Sequence, residues 1–513
     1  MTRAFREFRF HPNPTLPPLA WCAKVARDAP AVVVEHGSLV ETGDGFFVEG
    51  AWNGRFDEPH LAQADIVLGS GGTLVGAGAA FTPTTHTMER LYSLRSGAAV
   101  LVSNSLPFLL VASQTELDAR NWSYERRLMT FLRGYAKAAK RLELAGGATV
   151  SLHYHHTLLI APDLTREASA PPPPPHFESY RGYIDYLSNA LEALQRNASS
   201  PRRSVAYAPL ATISSGYDSP ACAVLAKRLG CRRAVTFIEA RGDFNDRPLK
   251  TLDDSGEHIA KILELDVVKF SRRAYLDADD YPEAPFIATG GGGDDVVLSA
   301  LRDTLDRSML FTGMLGDTVW SAGEAQDPAL SEQYRFLYPA GGSLQEFRLR
   351  TGFIHVPVPL LAFTRHADLQ RISRSLEMRP WRVGGGYDRP IPRRLVEEAG
   401  VPRRAYAREK RAITQPLWLQ KSDHNCMSAR SLRDLEQYRQ RVAARYRFGK
   451  LRMRLHEQLQ RAAGGLSLRA ARLARDPYHS DAYFEAALAD PLRFHWAVDK
   501  VAESYRASEL HGL

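Results

Sequence analysis

The sequence predicts a chain in three parts: a β-rich (α+β) N-terminal domain, an α/β domain on a parallel, doubly wound sheet, and a helical C-terminal region. Three observations predict it. Short alternating runs bounded by Gly, Asp or Asn fill the first 165 residues, five consecutive prolines interrupt the chain at 171–175, and strand-like and helix-like runs alternate after them. At 513 residues the chain exceeds the size at which one core keeps growing, so several domains are expected.

In the first part, "AVVVEHGSLV", "GFFVEGAW", "GAAVLVSNSLPFLLVAS" and "GATVSLHYHHTLLIA" read as strands, with two helices among them. "SAPPPPPHFESY" forces an extended polyproline segment, which sets a linker over 166–176 between a domain at 1–165 and one at 177–425. There "ESYRGYIDYLSNALEALQRN" reads as a helix, "YAPLATI" as a strand and "PACAVLAKRLG" as a helix closed by Gly230. "RRAVTFIEA" and "DVVKF" read as strands with "DSGEHIAKILEL" as a helix between them. Such βαβ units bind ligands at the carboxyl ends of their strands. Beyond about residue 330, "HADLQRISRSLEM" and "RPIPRRLVEEAG" space apolar residues three and four apart, and 426–513 reads as a basic helical extension.

Composition narrows the class. Apolar residues make up 44% and charged residues 24%, as in ordinary globular chains. The N-terminal residues have no apolar core followed by small residues, and the most apolar stretch, 98–113, is broken by Ser103, Asn104, Ser105 and Pro107, so a cytoplasmic protein without a membrane span is expected. Cys22, Cys222, Cys231 and Cys426 lack zinc or redox spacing and are expected as buried thiols. Residues 421–476 hold fourteen Lys/Arg against five Asp/Glu, enough to account for the net charge of +8. Apolar residues interleave there at helical spacing, so a solvated Arg face is expected and nucleic acid is not the expected partner.

The most informative stretch is "LATISSGYDSPACAVLAKRLG" at 210–230, where an apolar strand stops at a polar turn and a helix starts at once. Ser219 is a good N-cap and Pro220 a favoured first helical residue, so free N–H groups are expected to face the turn. Gly216 permits close backbone approach, and Ser214, Ser215 and Ser219 add hydroxyls at the positive end of the helix dipole. Asp218 fits beside a phosphate if a divalent cation bridges the two.

"SSGYDS" resembles the Ser-Gly-Gly-x-Asp-Ser pyrophosphate loop of the N-type ATP pyrophosphatases, with Ser215 in place of the first glycine. Within that superfamily the chain is most similar to the asparagine synthetase-like group, whose relatives include β-lactam synthetase and lasso-peptide cyclases. "MLFTGMLGDTVW", with Gly313, Gly316 and Asp317, resembles the group's second loop, Ser-Gly-x-Gly-x-Asp-Glu, with Thr318 in place of the glutamate. The resemblance implies that Asp218 and Asp317 share one Mg²⁺ and that both loops hold ATP. In "YDRPIPRRLVEEAGVPRRAYAREKRAIT", Lys410 is similar to the group's catalytic lysine, which would stabilise charge on the α-phosphate.

The N-terminal part resembles the Ntn-amidohydrolase (glutaminase-like) domain of that group, but Thr2 stands where glutamine-using members expose a cysteine, which implies a degenerate domain without glutaminase activity. The resemblance thus implies an ATP- and Mg²⁺-dependent ligase that adenylates a small-molecule or peptide carboxylate, releases pyrophosphate and passes the acyl group to ammonia or a substrate amine. A homodimer is compatible with it. Alternatives are a tRNA-modifying or other adenylating member of the superfamily, or a nucleotide-binding pseudoenzyme.

Other features point elsewhere. "ATGGGGDDVVLSALRDTL" lacks the Gly-Lys-Ser/Thr ending of a phosphate loop, so Asp294 or Asp295 is expected to cap the next helix, with the glycines as a lid over the nucleotide. His153 and His155 share one face of the predicted strand, but without nearby Cys or carboxylate no metal is expected at His153, His155 and His156. Arg393, Arg394, Arg403 and Arg404 read as helix-surface charges near a phosphate site.

Overall fold

The structure is a computed structural model that describes residues 4–130, 138–241, 251–322, 343–384, 387–407, 411–415, 417, 426–445, 492–508 and 510. It is mixed α/β, with one parallel sheet and several sheets containing antiparallel pairs.

The N-terminal strands are β1 (Glu7–Pro12), β2 (Trp21–Ala26), β3 (Ala31–His36), β4 (Glu41–Gly43), β5 (Phe46–Trp52), β6 (Val67–Val75) and β7 (Gly78–Thr82). They continue with β8 (Leu91–Ser96), β9 (Ala99–Ser103), β10 (Arg141–Glu143), β11 (Thr149–His153), β12 (Thr157–Ile160) and β13 (Arg166–Ser169). One sheet runs β1-β3-β2-β9-β8-β11-β10 and the other β13-β12-β7-β6-β5-β4. Alternation sorts each strand's side chains: Trp21, Ala23 and Val25 of β2 enter the core between the sheets, while Cys22 joins the core on the other side. Between the sheets Trp21 packs edge-on against Phe47 at 4.9 Å and stacks with Phe81 at 6.0 Å. Helix α1 (Leu106–Ala112) follows β9; Ser105 caps it by accepting from the Phe108 N–H, and Pro107 lies in its first turn. A second helix, α2, spans Tyr124–Met129.

The expected linker starts later than its composition suggests. Arg166–Ser169 pairs with β12 as an edge strand, because its backbone finds ladder partners although all four side chains are exposed and show no alternation. The prolines follow it without regular structure, and helix α3 (Tyr180–Ala198) begins beyond them, capped by Ser179.

The parallel sheet contains β14 (Ala208–Thr212), β15 (Arg233–Phe237), β18 (Asp266–Phe270), β19 (Ser308–Thr312) and β20 (Ile354–Pro357), in the order β18-β15-β14-β19-β20. Every neighbouring pair is parallel. The fully apolar or buried runs lie centrally and on the β20 side, while the charged strand β18 forms the exposed edge. A small hairpin, β16 (Glu239–Arg241) with β17 (Thr251–Asp253), stands beside it. Helix α4 (Asp218–Arg228) follows β14, buries residues 220–226 and ends before Gly230, whose φ of 84° supplies the left-handed turn after a helix.

From β14 the chain moves outward to β15 and β18, then returns to β19 and moves outward the other way to β20. The order therefore reverses between β14 and β19. Outside the carboxyl ends of two such strands a crevice forms, the general ligand position of open α/β sheets.

The last described helix is not an appended layer. Helix Arg493–Arg506 places Phe494, Trp496, Ala497, Val498, Val501 and Tyr505 in the main core, with Tyr505 stacked on Phe108 of α1 at 4.7 Å. A second tie is Arg348, on helix Gln345–Thr351, which donates to Glu49 of β5 and to Glu89, all three side chains being fully buried. No helix among the described residues is long and apolar enough to cross a membrane.

Candidate functional site

The turn after β14 is held by its own hydroxyls. Ser214 Oγ lies 2.8 Å from Ser219 Oγ and accepts from the Gly216 N–H at 3.2 Å. Ser215 uses both backbone and side chain on Asp254: its N–H donates to the Asp254 carbonyl at 3.2 Å, and its hydroxyl donates to Oδ1 at 2.5 Å. Gly256 allows this approach, since a Cβ there would stand 2.8 Å from the Ser214 nitrogen. Ser215 does not adopt a left-handed φ, so a serine in place of glycine carries no backbone penalty.

Helix α4 starts two residues earlier than expected. Its cap position is Tyr217, without a side-chain cap bond, and Ser219 and Pro220 lie within the first turn. The Ser219 hydroxyl is engaged by Ser214, and a proline is tolerated in a turn whose N–H groups lack intrahelical acceptors. The consequence is a helix N-terminus with no side-chain cap beside three serines, the donor set that suits an oxyanion.

The second loop is pressed onto the first. A Cβ on Gly313 would lie 2.6 Å from the Ser219 nitrogen, and one on Gly316 would lie 2.7 Å from Asp218 Cγ. Only glycine permits this, so Asp218 contacts the residue immediately before Asp317. Asp317 is half-buried. Between the glycines, buried Leu315 holds a φ of 63°, strain of the kind retained where surroundings over-determine a functional turn.

Cations and rings wall the crevice. Arg389 forms an ion pair with Asp218 and covers the Tyr387 ring at 4.6 Å. Tyr217 packs on Tyr387 and Tyr406, at 5.3 and 4.9 Å. Arg393, expected on a helix surface, is instead fully buried over Tyr217 at 4.6 Å, because helix Pro390–Glu398 turns that face toward α4. Arg394 stacks on Tyr180 and Trp381, whereas Arg403 and Arg404 are exposed as expected. Arg411 donates to Ser215 Oγ at 3.3 Å. Burial pushes the Asp254 carboxyl up to about 6, against the pull of the Ser215 hydroxyl and Arg411.

The structure thus packs Gly313 and Gly316 onto Asp218 and Ser219 beside Ser214, Ser215 and Gly216 at the switch point, with Asp317 next in the chain after Gly316. Lys410 lies outside the described residues; Ala407 and Arg411, on either side of it, both bond to Ser215. Sequence reasoning missed Asp254, Arg389 and Arg411. Arg389 stands in a stretch singled out for its lysine, but its partner is 171 positions away.

Other expectations resolve physically. β11 ends at His153 and His155 occupies a turn with φ 61°, so the two do not share a strand face. His153 bonds Ser93 and His155 bonds the Thr85 carbonyl, and burial holds both near 4. No cluster of three metal-ligating side chains exists among the described residues. All four cysteines are buried, and Cys22 sits in mid-strand with its thiol pushed up, unsuited to nucleophilic attack. Thr2 lies outside the described residues. Asp295 does occupy the cap position of helix Val296–Leu301, but its side chain makes no cap bond. Comparison with known protein families and with characterised proteins finds no match for this chain.

Proposed function

We propose that the crevice between β14 and β19 binds the phosphates of ATP, and that the chain is a cytosolic, ATP- and Mg²⁺-dependent amide-forming synthetase. The observation that carries this reading is the packing of Gly313 and Gly316 onto Asp218 at the point where the strand order reverses. Three serines and the start of α4 match phosphate oxygens, and Arg389 and Arg411 add positive charge. The donor set also fits Mg²⁺, which is commonly held by one or two carboxylates completed by phosphate oxygens. Asp218 and Asp317 would hold it, and Arg389 would then be released from Asp218 toward the phosphates.

On this reading a carboxylate oxygen attacks the α-phosphorus, pyrophosphate leaves, and an amine displaces AMP from the mixed anhydride. The β-rich domain takes no part through Cys22, so the nitrogen comes from ammonia or from an amine of the substrate. The Asp218–Arg389 pair also favours a second reading, nucleotide binding without turnover, if Arg389 is not displaced.

Acid-dependent exchange of labelled pyrophosphate into ATP tests both, using proteinogenic amino acids, dicarboxylates and uronic acids as the panel. Exchange in the wild type that disappears in Asp218→Ala is expected. Equal exchange in the variant would remove Asp218 from the site; Mg²⁺-dependent ATP binding without exchange would establish the second reading.

A further inference from the structure

The loop at residues 288–295 follows β18 and precedes the helices Val296–Leu301 and Arg302–Leu305, which return the chain to the start of β19. The crossover from β18 to β19 passes through this loop, and its place is fixed by its contacts. Two contacts fix the loop there. The Gln415 N–H donates to the Asp294 carbonyl at 2.7 Å, and the segment 411–415 leads from Gln415 back to Arg411, which bonds Ser215 of the phosphate turn. On its other side the Thr289 carbonyl accepts from Arg90 of the N-terminal sheets. The loop is therefore tied at one end to Arg90 and at the other to the segment that reaches Ser215.

The backbone of Asp295 caps the next helix, but its carboxyl makes no hydrogen bond among the described residues. It is 2% exposed, its Oδ2 is buried without a hydrogen-bond partner, and it takes part in no ion pair among the described residues. Burial alone acts on its carboxyl, which is pushed up to about 7. An unpartnered carboxylate in such a place is costly, and the compensation expected for it is a ligand that carries N–H donors.

We propose that Asp295 is the base that receives the amine acceptor of the synthetase reaction. This rests on the amide-forming reading above and deepens it. The amine hydrogen-bonds to the Asp295 carboxylate; as its nitrogen forms the new C–N bond with the acyl carbon, the bond from that carbon to the AMP phosphate oxygen breaks. AMP leaves with the bond electrons, and the surplus proton on nitrogen passes to Asp295. No oxidant or further reactant is needed.

The test separates the two half-reactions. With an acid that supports pyrophosphate exchange in the wild type, D295N is expected to keep exchange within a few-fold and to lose amide formation from ammonia by about 10²- to 10⁴-fold. Hydroxylamine, already neutral at neutral pH, should still yield hydroxamate in D295N, because it needs less help from a base. Formate should partly restore ammonia-dependent turnover to D295A, which serves if D295N folds poorly. Amide formation at the wild-type rate in D295N, or equal loss of exchange and amide formation in a folded variant, overturns the assignment of Asp295. Absence of exchange in the wild type with every acid overturns the synthetase reading itself, and this inference with it.

Discussion

Where the N-terminal sheets meet the parallel sheet's helices, Arg348 donates to Glu49 and Glu89, and Glu49 also accepts from Ser70 and Asn104. By contrast Asp295 is equally buried with no side-chain partner among the described residues, and Asp254, beside the turn after β14, has a serine hydroxyl as its close donor. Both regions remove carboxylates from water, at a cost of several kcal/mol each before compensation. In the first, geometry and hydrogen bonds supply the compensation within the fold. In the second the compensation is partial at Asp254, from Ser215 and Arg411, and missing at Asp295 among the described residues. The difference teaches which buried charges hold the molecule together and which await something else.

The largest effect should come from breaking the satisfied cluster. Arg348→Met leaves two buried carboxylates without a cation, and removal of one member of a buried pair typically costs about 3–5 kcal/mol. Urea unfolding followed by tryptophan fluorescence should show a midpoint shift of that size. Adding Glu49→Gln and Glu89→Gln to the same chain should recover much of the loss, since an uncharged trio no longer needs the cation. If Arg348→Met alone is neutral, the triad is not the tie between the two parts.

The unsatisfied side gives a smaller effect with a pH signature. Burial pushes the Asp254 carboxyl from its ordinary 3.8 up to about 6, so its neutral form is favoured on folding. Its favourable contribution is complete below about pH 4 and is lost as pH rises through about 6, amounting to roughly 3 kcal/mol by linkage. Asp254→Asn should therefore flatten the stability profile over that window and be relatively more stable at neutral pH. Parallel profiles for wild type and variant, measured by urea titration at several pH values, would contradict this.

Legibility in the sequence follows the same division. Strands β14, β15, β18 and β19 and helix α4 were readable because apolar runs and helical spacing are local. The turn at Ser214–Ser219 was readable because its hydroxyls, glycine and aspartate are consecutive. What was not readable depends on distant pairing. Arg389 meets Asp218 and Arg411 meets Ser215 only after the sheet has formed, and neither pairing leaves a periodic trace. Ser219 failed as the cap because a second serine claimed its hydroxyl, a competition that propensity cannot rank. The sequence assignment of 426–513 to an extension missed that Trp496 and Tyr505 fill the main core, because an amphipathic helix does not state which core it faces.

An exposed pair provides the third regime and the smallest effect. Lys269 on edge strand β18 donates to both oxygens of Glu257, at 3.1 and 3.0 Å, with the two side chains 49% and 56% exposed. Its geometry is as good as that of Arg348 with Glu49, yet water solvates both ends whether or not the pair forms. Lys269→Met should therefore change stability by less than about 1 kcal/mol, and salt should remove what difference there is. Glu257→Gln should behave alike, and the double variant should show a coupling within the same small range. A loss comparable to that of Arg348→Met would mean that hydrogen-bond geometry, rather than burial, sets the worth of an ion pair in this molecule. It would also remove the physical ground for treating Asp254 and Asp295 as different in kind from the surface carboxylates.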